Sequence, residues 1–124
     1  MTDDGKTLGH AGETAAAAFL RSQGFAILET NYRTKTSEID IIARDKEYLC
    51  FVEVKTRRSL KKGLPREAVT RSKQKKIILG ALFYLKHTHQ MDIRVRFDVV
   101  EVYENKDGFS FYLMKNAFQG HQNG

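Results

Sequence analysis

Two short runs, EIDIIARD from Glu38 to Asp45 and YLCFVEVK from Tyr48 to Lys55, place charges where the surrounding residues read as strand. Asp40, Glu53 and Lys55 are the groups that could do chemistry. Two opposed carboxylates destabilise a sheet unless something compensates them. A hard divalent cation such as Mg²⁺, held by one or two carboxylates with waters and a phosphate, is such a compensation. Lys55, two residues beyond Glu53 on the same strand face, could reach a phosphate on that ion.

The chemistry depends on how the two strands pair. Taking Asp45-Lys46-Glu47-Tyr48 as a four-residue connection sets Asp40 opposite Glu53 and Glu38 opposite Lys55, with Cβ atoms about 4.5 to 5.5 Å apart. A slip of one residue would send Asp40 and Glu53 to opposite faces. Strict alternation puts Ile39, Ile41 and Ala43 on one face, with Glu38, Asp40, Ile42 and Arg44 on the other. The nearly continuous apolar run of the next strand indicates cover on both sides. A second reading of the same charges is a cross-strand Glu38–Lys55 ion pair at a solvated sheet end, with Asp40 and Glu53 hydrated.

The remaining elements follow from pattern. Leu8 to Gln23 reads as a helix with a small Ala face, stopped by Gly24. Phe25 to Arg33 reads as a strand. A second helix is expected from Pro65 to His87, since Val69, Ser72, Ile78, Leu79, Leu82 and Leu85 recur at three- and four-residue steps. Two strands, from Asp92 and from Phe109, close the chain through the turn Asn105 to Gly108. The order α-β-β-β-α-β-β describes a mixed α/β domain over residues 1–118, with a flexible tail at 119–124. A length of 124 residues suits a single core.

Charge adds a partner. Lys55 to Lys76 holds ten basic residues and one acid, a net +9 in a chain of net +6. Such one-sided charge is the footprint of a polyanion binder, with nucleic acid the commonest target. No apolar run is long enough to span a membrane. The polar start and the single cysteine, Cys50, fit a reducing cytoplasm. His87 and His89 stand at a helix end, where capping is favoured over zinc binding. Arg96 and Asp98 share a strand face and read as a structural ion pair.

GETAAAAFL at 12–20, NYR at 31–33, EIDIIARD at 38–45, FVEVKTR at 51–57 and RFDVV at 96–100 together closely resemble the small bacterial YraN-type family. That family is placed in the PD-(D/E)xK nuclease superfamily, whose members include archaeal Holliday junction resolvases. The resemblance spans about Gly9 to Phe118 and implies a restriction-endonuclease-like fold, with a mixed central sheet flanked by helices. It implies a Mg²⁺- or Mn²⁺-dependent endonuclease acting on nucleic acid, DNA above all, in structured or branched form. Asp40 resembles the motif aspartate, Glu53 the second acid and Lys55 the motif lysine; Glu13 resembles the extra acid of resolvase-like members. The backbone carbonyl of Val54 would complete the metal site, while Lys55 would orient the attacking water or stabilise transition-state charge. Arg57, Arg58, Lys61, Lys62, Arg66, Lys73, Gln74 and Lys76 become candidate phosphate contacts. Ser37 stands where the family usually has Gly, and Ile39 where the superfamily name has Pro. The alternatives are a nucleic-acid-binding module with little hydrolysis, or an adaptor in a repair complex. A homodimer through an apolar edge such as FSFYLM is a further expectation.

Overall fold

In a computed structural model, which describes residues 4–57 and 69–119, seven elements follow in the expected order. They are α1 (Asp4–Ser22), β1 (Ala26–Arg33), β2 (Glu38–Asp45), β3 (Tyr48–Arg57), α2 (Arg71–His87), β4 (Arg94–Asn105) and β5 (Gly108–Phe118). The five strands lie side by side in chain order. Only β3 and β4 run parallel; the other three pairings are antiparallel. A parallel pair needs a crossover, and α2 lies within it. The architecture is mixed α/β, consistent with a restriction-endonuclease-like fold.

Each helix covers one face of the sheet. Ala16, Ala17 and Leu20 of α1 pack on Ile41, Ala43, Cys50, Val52, Val100 and Val102. Ile77, Ala81, Tyr84 and Leu85 of α2 pack on Ile42, Leu49, Phe51, Phe97 and Val99. Successive residues of β3 from Leu49 to Val52 are therefore buried alternately against α2 and α1. That is why its sequence is continuously apolar, each such side chain contributing roughly 1.5–3 kcal/mol by burial.

The α1 stop is as expected. Gly24, at φ +97°, donates to the Arg21 carbonyl and Phe25 to that of Leu20, the paired bonds of a Schellman motif. The second helix differs from expectation at its start. Val69 and Thr70 are not helical: Thr70 is extended and its side chain accepts the Lys73 N–H as an N-cap, so the helix begins at Arg71. Pro65, Arg58, Lys61, Lys62, Arg66 and the tail from 120 lie outside the described residues. The helix phase also differs. Ile77, Gly80, Ala81, Tyr84 and Leu85 face the core, while Leu79 and Leu82 are 56% and 42% exposed. Gly80 fixes that phase, because a Cβ there would press on Ser37 and Ile39.

α2 ends with a second Schellman pattern, His89 donating to Lys86 and Gln90 to Leu85. His89 holds the left-handed position at φ +57°, where glycine is normally favoured. His89→Gly is expected to stabilise the fold by about 1 kcal/mol, read as a higher urea midpoint at unchanged slope.

Candidate functional site

The β2–β3 ladder runs from Asp45↔Tyr48 to Ile41↔Val52 in the expected register. Its turn is Lys46-Glu47, shorter than the connection expected, and Lys46 takes φ +59°. No paired residues continue the ladder past Ile41, and there the strands fork. The Val54 N–H donates to Asp40 Oδ2 at 2.8 Å, so a side-chain carboxylate serves as acceptor for the β3 main chain. Ile39 correspondingly departs from the expected alternation. It joins Ile42 in the α2-side core, with its tip against Gly80, while Ile41 faces α1. Asp40 and Glu53 thus meet in a fork rather than as a regular cross-strand pair.

Three carboxyls converge there, from α1, β2 and β3. Glu53 is only 8% exposed. Burial, then the charge of Asp40, pushes its carboxyl up to about 7, against the opposing pull of Lys73 and Lys55. Asp40 is raised too, by burial first, although the Val54 hydrogen bond and the Lys73 charge favour its ionised form. Glu13 is raised by its own burial and then by Asp40 and Glu38. Gly12 allows this approach of α1: a Cβ there would overlap the Thr56 side chain on β3. Lys73 Nζ stands 3.7 Å from Glu53 Oε2, whereas the buried Glu53 Oε1 has no hydrogen-bond partner among the described residues.

The other expected residues divide by position. Lys55 is half-buried, beside Glu101 in the parallel register, and its charge acts on Glu53. Lys73, expected at the phosphates, is drawn to the acids. Gln74 donates its amide to the Val69 carbonyl at 2.8 Å and so ties the segment before α2 to the helix. Lys76 is exposed. Arg57 lies 3.8 Å from the buried Glu101, which also accepts the Tyr103 hydroxyl at 2.9 Å. Glu38 turns to Arg33 at 3.4 Å. Val54 contributes its N–H to Asp40. Sequence reasoning missed the roles of Gly12 and Thr70, although a Thr three residues before Lys73 was a readable capping signal.

At the far end of β2 and β3 the charges are matched instead. Arg96 donates to Asp98 and, at 2.8 Å, to Asp45; Lys115 stands 3.2 Å from Asp45. The hydrogen bond from Arg96 is the main cause holding the Asp45 carboxyl below its usual range. Asp98 also accepts the Asn116 N–H at 2.8 Å, where the β4–β5 register shifts. The expected structural pairing of Arg96 and Asp98 is present. Nearby Cys50 is fully buried, and that burial is the main cause pushing its thiol up to about 12.

Among the described residues, no group of three or more His, Cys, Asp or Glu side chains forms a ready metal cage. Asp40 and Glu53 remain the pair that could hold a hard cation, which takes one or two carboxylates and fills its other positions with water. A folded-state pKa above the unfolded one means that the Glu53 contribution to stability is present at low pH and is lost as pH rises from about 4.5 to about 7. In EDTA, Glu53→Gln should therefore flatten the pH dependence across that window and raise stability at pH 8 by on the order of 2 kcal/mol. Urea unfolding of both proteins at pH 5 and pH 8 measures this.

The family model of the uncharacterised protein family UPF0102 matches residues 12–102, which include Glu13 and all three residues of the Asp40, Glu53 and Lys55 set. The chain is 54% identical to the UPF0102 protein of Desulforapulum autotrophicum, over 96% of this chain and 98% of that protein. It is 49% identical to the one from Desulfosudis oleivorans, over 95% and 94%, and 50% identical to the one from Acetivibrio thermocellus, over 91% and 92%. With both chains covered almost end to end at about half identity, this protein belongs to the UPF0102 family, the YraN-type family of the sequence resemblance.

Proposed function

We propose that the chain is a divalent-metal-dependent phosphodiesterase of the PD-(D/E)xK type that acts on nucleic acid, with structured or branched DNA as the preferred substrate class. The observation that supports this reading is the meeting of Asp40 and Glu53, which touch through their carboxyls, with Glu13 beside them and Glu53 Oε1 buried without a hydrogen-bond partner among the described residues. Buried polar atoms are normally satisfied, and one left open beside further carboxyls suits a cation. The donor set is all oxygen, as Mg²⁺ or Mn²⁺ prefers.

Bound there, the ion would polarise the scissile phosphate and lower the pKa of a water that attacks it. The rest of the work falls to side chains. Asp40 is held in one orientation by the Val54 N–H, so it need not be ordered when the ion arrives. Glu53 supplies the second carboxylate, and Glu13, brought in by α1, would support a second ion or position the first. Lys55, beside Glu53, would stabilise charge on the phosphate or orient the water. Lys73 partly neutralises Glu53 and is close enough to turn toward a substrate phosphate. Lys76 and the basic residues from Arg58 to Arg66 would track the backbone and make binding salt-dependent, whereas Arg57 is directed to the buried Glu101. β5, at one edge of the sheet, offers a strand through which two copies could act together.

The test is cleavage of a labelled panel containing a four-way junction, a flap, duplex DNA, single-stranded DNA and RNA, with Mg²⁺, Mn²⁺ or EDTA. Cutting is expected with either metal and not with EDTA, and Asp40→Asn and Lys55→Ala should each reduce it at least about 100-fold while remaining folded. Salt-sensitive binding without cutting in either metal would overturn the enzymatic reading and favour a binding module or adaptor.

A further inference from the structure

The phase of α2 leaves an apolar surface that the acid cluster does not use. Lys75, Leu79, Leu82 and Lys86 recur at steps of four, three and four, so they form one outward stripe with a cation at each end. Leu79, Leu82 and Phe83 are 56%, 42% and 54% exposed. Beside the stripe a groove of about 350 Å³ runs between α2 and the sheet, lined by Ile78, Leu82, Leu85, Val95, Phe97 and Phe118. An exposed apolar ridge continuous with an apolar groove is the form of a site that takes anchoring side chains from an amphipathic segment.

Charge selects the occupant. From Arg71 to His87 the helix carries five Lys and Arg residues and no acid. A second copy docking through the same helix would bring two wholly basic surfaces together. The chain's own segment 58–68 is also net basic, and residues 120–124, Gly-His-Gln-Asn-Gly, have no large apolar side chain to insert. Nucleic acid would satisfy the lysines but leave Leu79, Leu82 and Phe83 without a role. We propose that this face docks a partner protein through a short acidic segment that carries large apolar anchors. One anchor enters the groove beside Leu82, and Asp or Glu residues on either side meet Lys75 and Lys86. The surface is separate from the acid cluster, and its occupation does not depend on catalysis.

The experiment selects displayed random peptides of about 12 residues on the full chain, with Leu82→Glu as counter-target, then measures the affinity and amide shifts of the best synthetic peptides. Recovered sequences should be net acidic with two or more large apolar residues. Leu82→Glu should weaken them at least tenfold, Lys75→Glu with Lys86→Glu severalfold, and shifts should centre on Leu82, Leu85, Val95 and Phe118. Because Leu82, Lys75 and Lys86 are exposed, these variants should retain the wild-type circular dichroism and urea midpoint. Recovery of peptides with no acidic excess would overturn the proposal, as would equal binding to Leu82→Glu. So would self-association lost in Leu82→Glu, which would assign the face to a second copy, or shifts at these residues produced by an oligonucleotide instead of the peptides.

Discussion

The hydrogen bond from the Val54 N–H to Asp40 Oδ2 is the contact on which the rest of the site depends. A ladder that continued past Ile41↔Val52 would give β3 a main-chain acceptor and leave Asp40 free to be solvated or paired elsewhere. With a carboxylate as acceptor, the strands separate while the N–H stays satisfied, and the carboxyl is fixed at the root of the opening. A charge-assisted bond of this kind is stronger than a neutral one, and it favours the ionised acid against its burial. Ile39 follows from the same event. Released from strict alternation, it reaches α2 and closes the core beneath the fork, where Gly80 leaves room for it.

The two ends of the β2–β3 pair handle buried charge in opposite ways. At the hairpin end Asp45 and Asp98 are met by Arg96 and Lys115, and the Arg96 guanidinium also lies over the Tyr48 and Phe25 rings. Every carboxylate there has a cation, and Asp98 further closes the irregularity between β4 and β5. At the forked end several acids share Lys73 and Lys55, and one oxygen of Glu53 has no hydrogen-bond partner among the described residues. Among the described residues, then, the hairpin end matches its carboxylates with cations, whereas the forked end holds more carboxyls than cations. Such local deficits are expected where a site must accept a cation, because complete internal pairing would compete with it.

The sequence carried the strands, their order and the β2–β3 register because these rest on local patterns: alternation, a tight turn and a continuous apolar run in a doubly covered strand. Gly24 was readable as a helix stop for the same reason. Ile39 was not readable, since its face is set by a side chain replacing a ladder bond, and alternation rules assume that the ladder continues. The phase of α2 was missed because Leu79 and Leu82 are as apolar as Ile77 and Leu85. The deciding residue was Gly80, which has no hydrophobic signal and matters only through its distance from Ser37 and Ile39. Asp40 and Glu53 were legible as candidates from the conflict between their charge and their setting. Glu13 was named with them by the family resemblance and not by any local pattern, because its convergence depends on how closely α1 can approach Thr56.

Gly12 and Gly80 bear on one problem from opposite faces of the sheet. Each removes a Cβ where a helix crosses a strand, Gly12 over β3 beside Glu13 and Gly80 over β2 beside Ile39. Close approach of α1 brings an acid to the fork; close approach of α2 brings Lys73, at its first turn, to Glu53. Rotating α2 to bury Leu79 and Leu82 would turn Gly80 from Ile39 and carry Lys73 away from the acid, since all four sit on one rigid helix. The phase that positions a cation at the fork is therefore the phase that leaves the Lys75–Leu79–Leu82–Lys86 stripe exposed, and the two surfaces are consequences of a single packing choice.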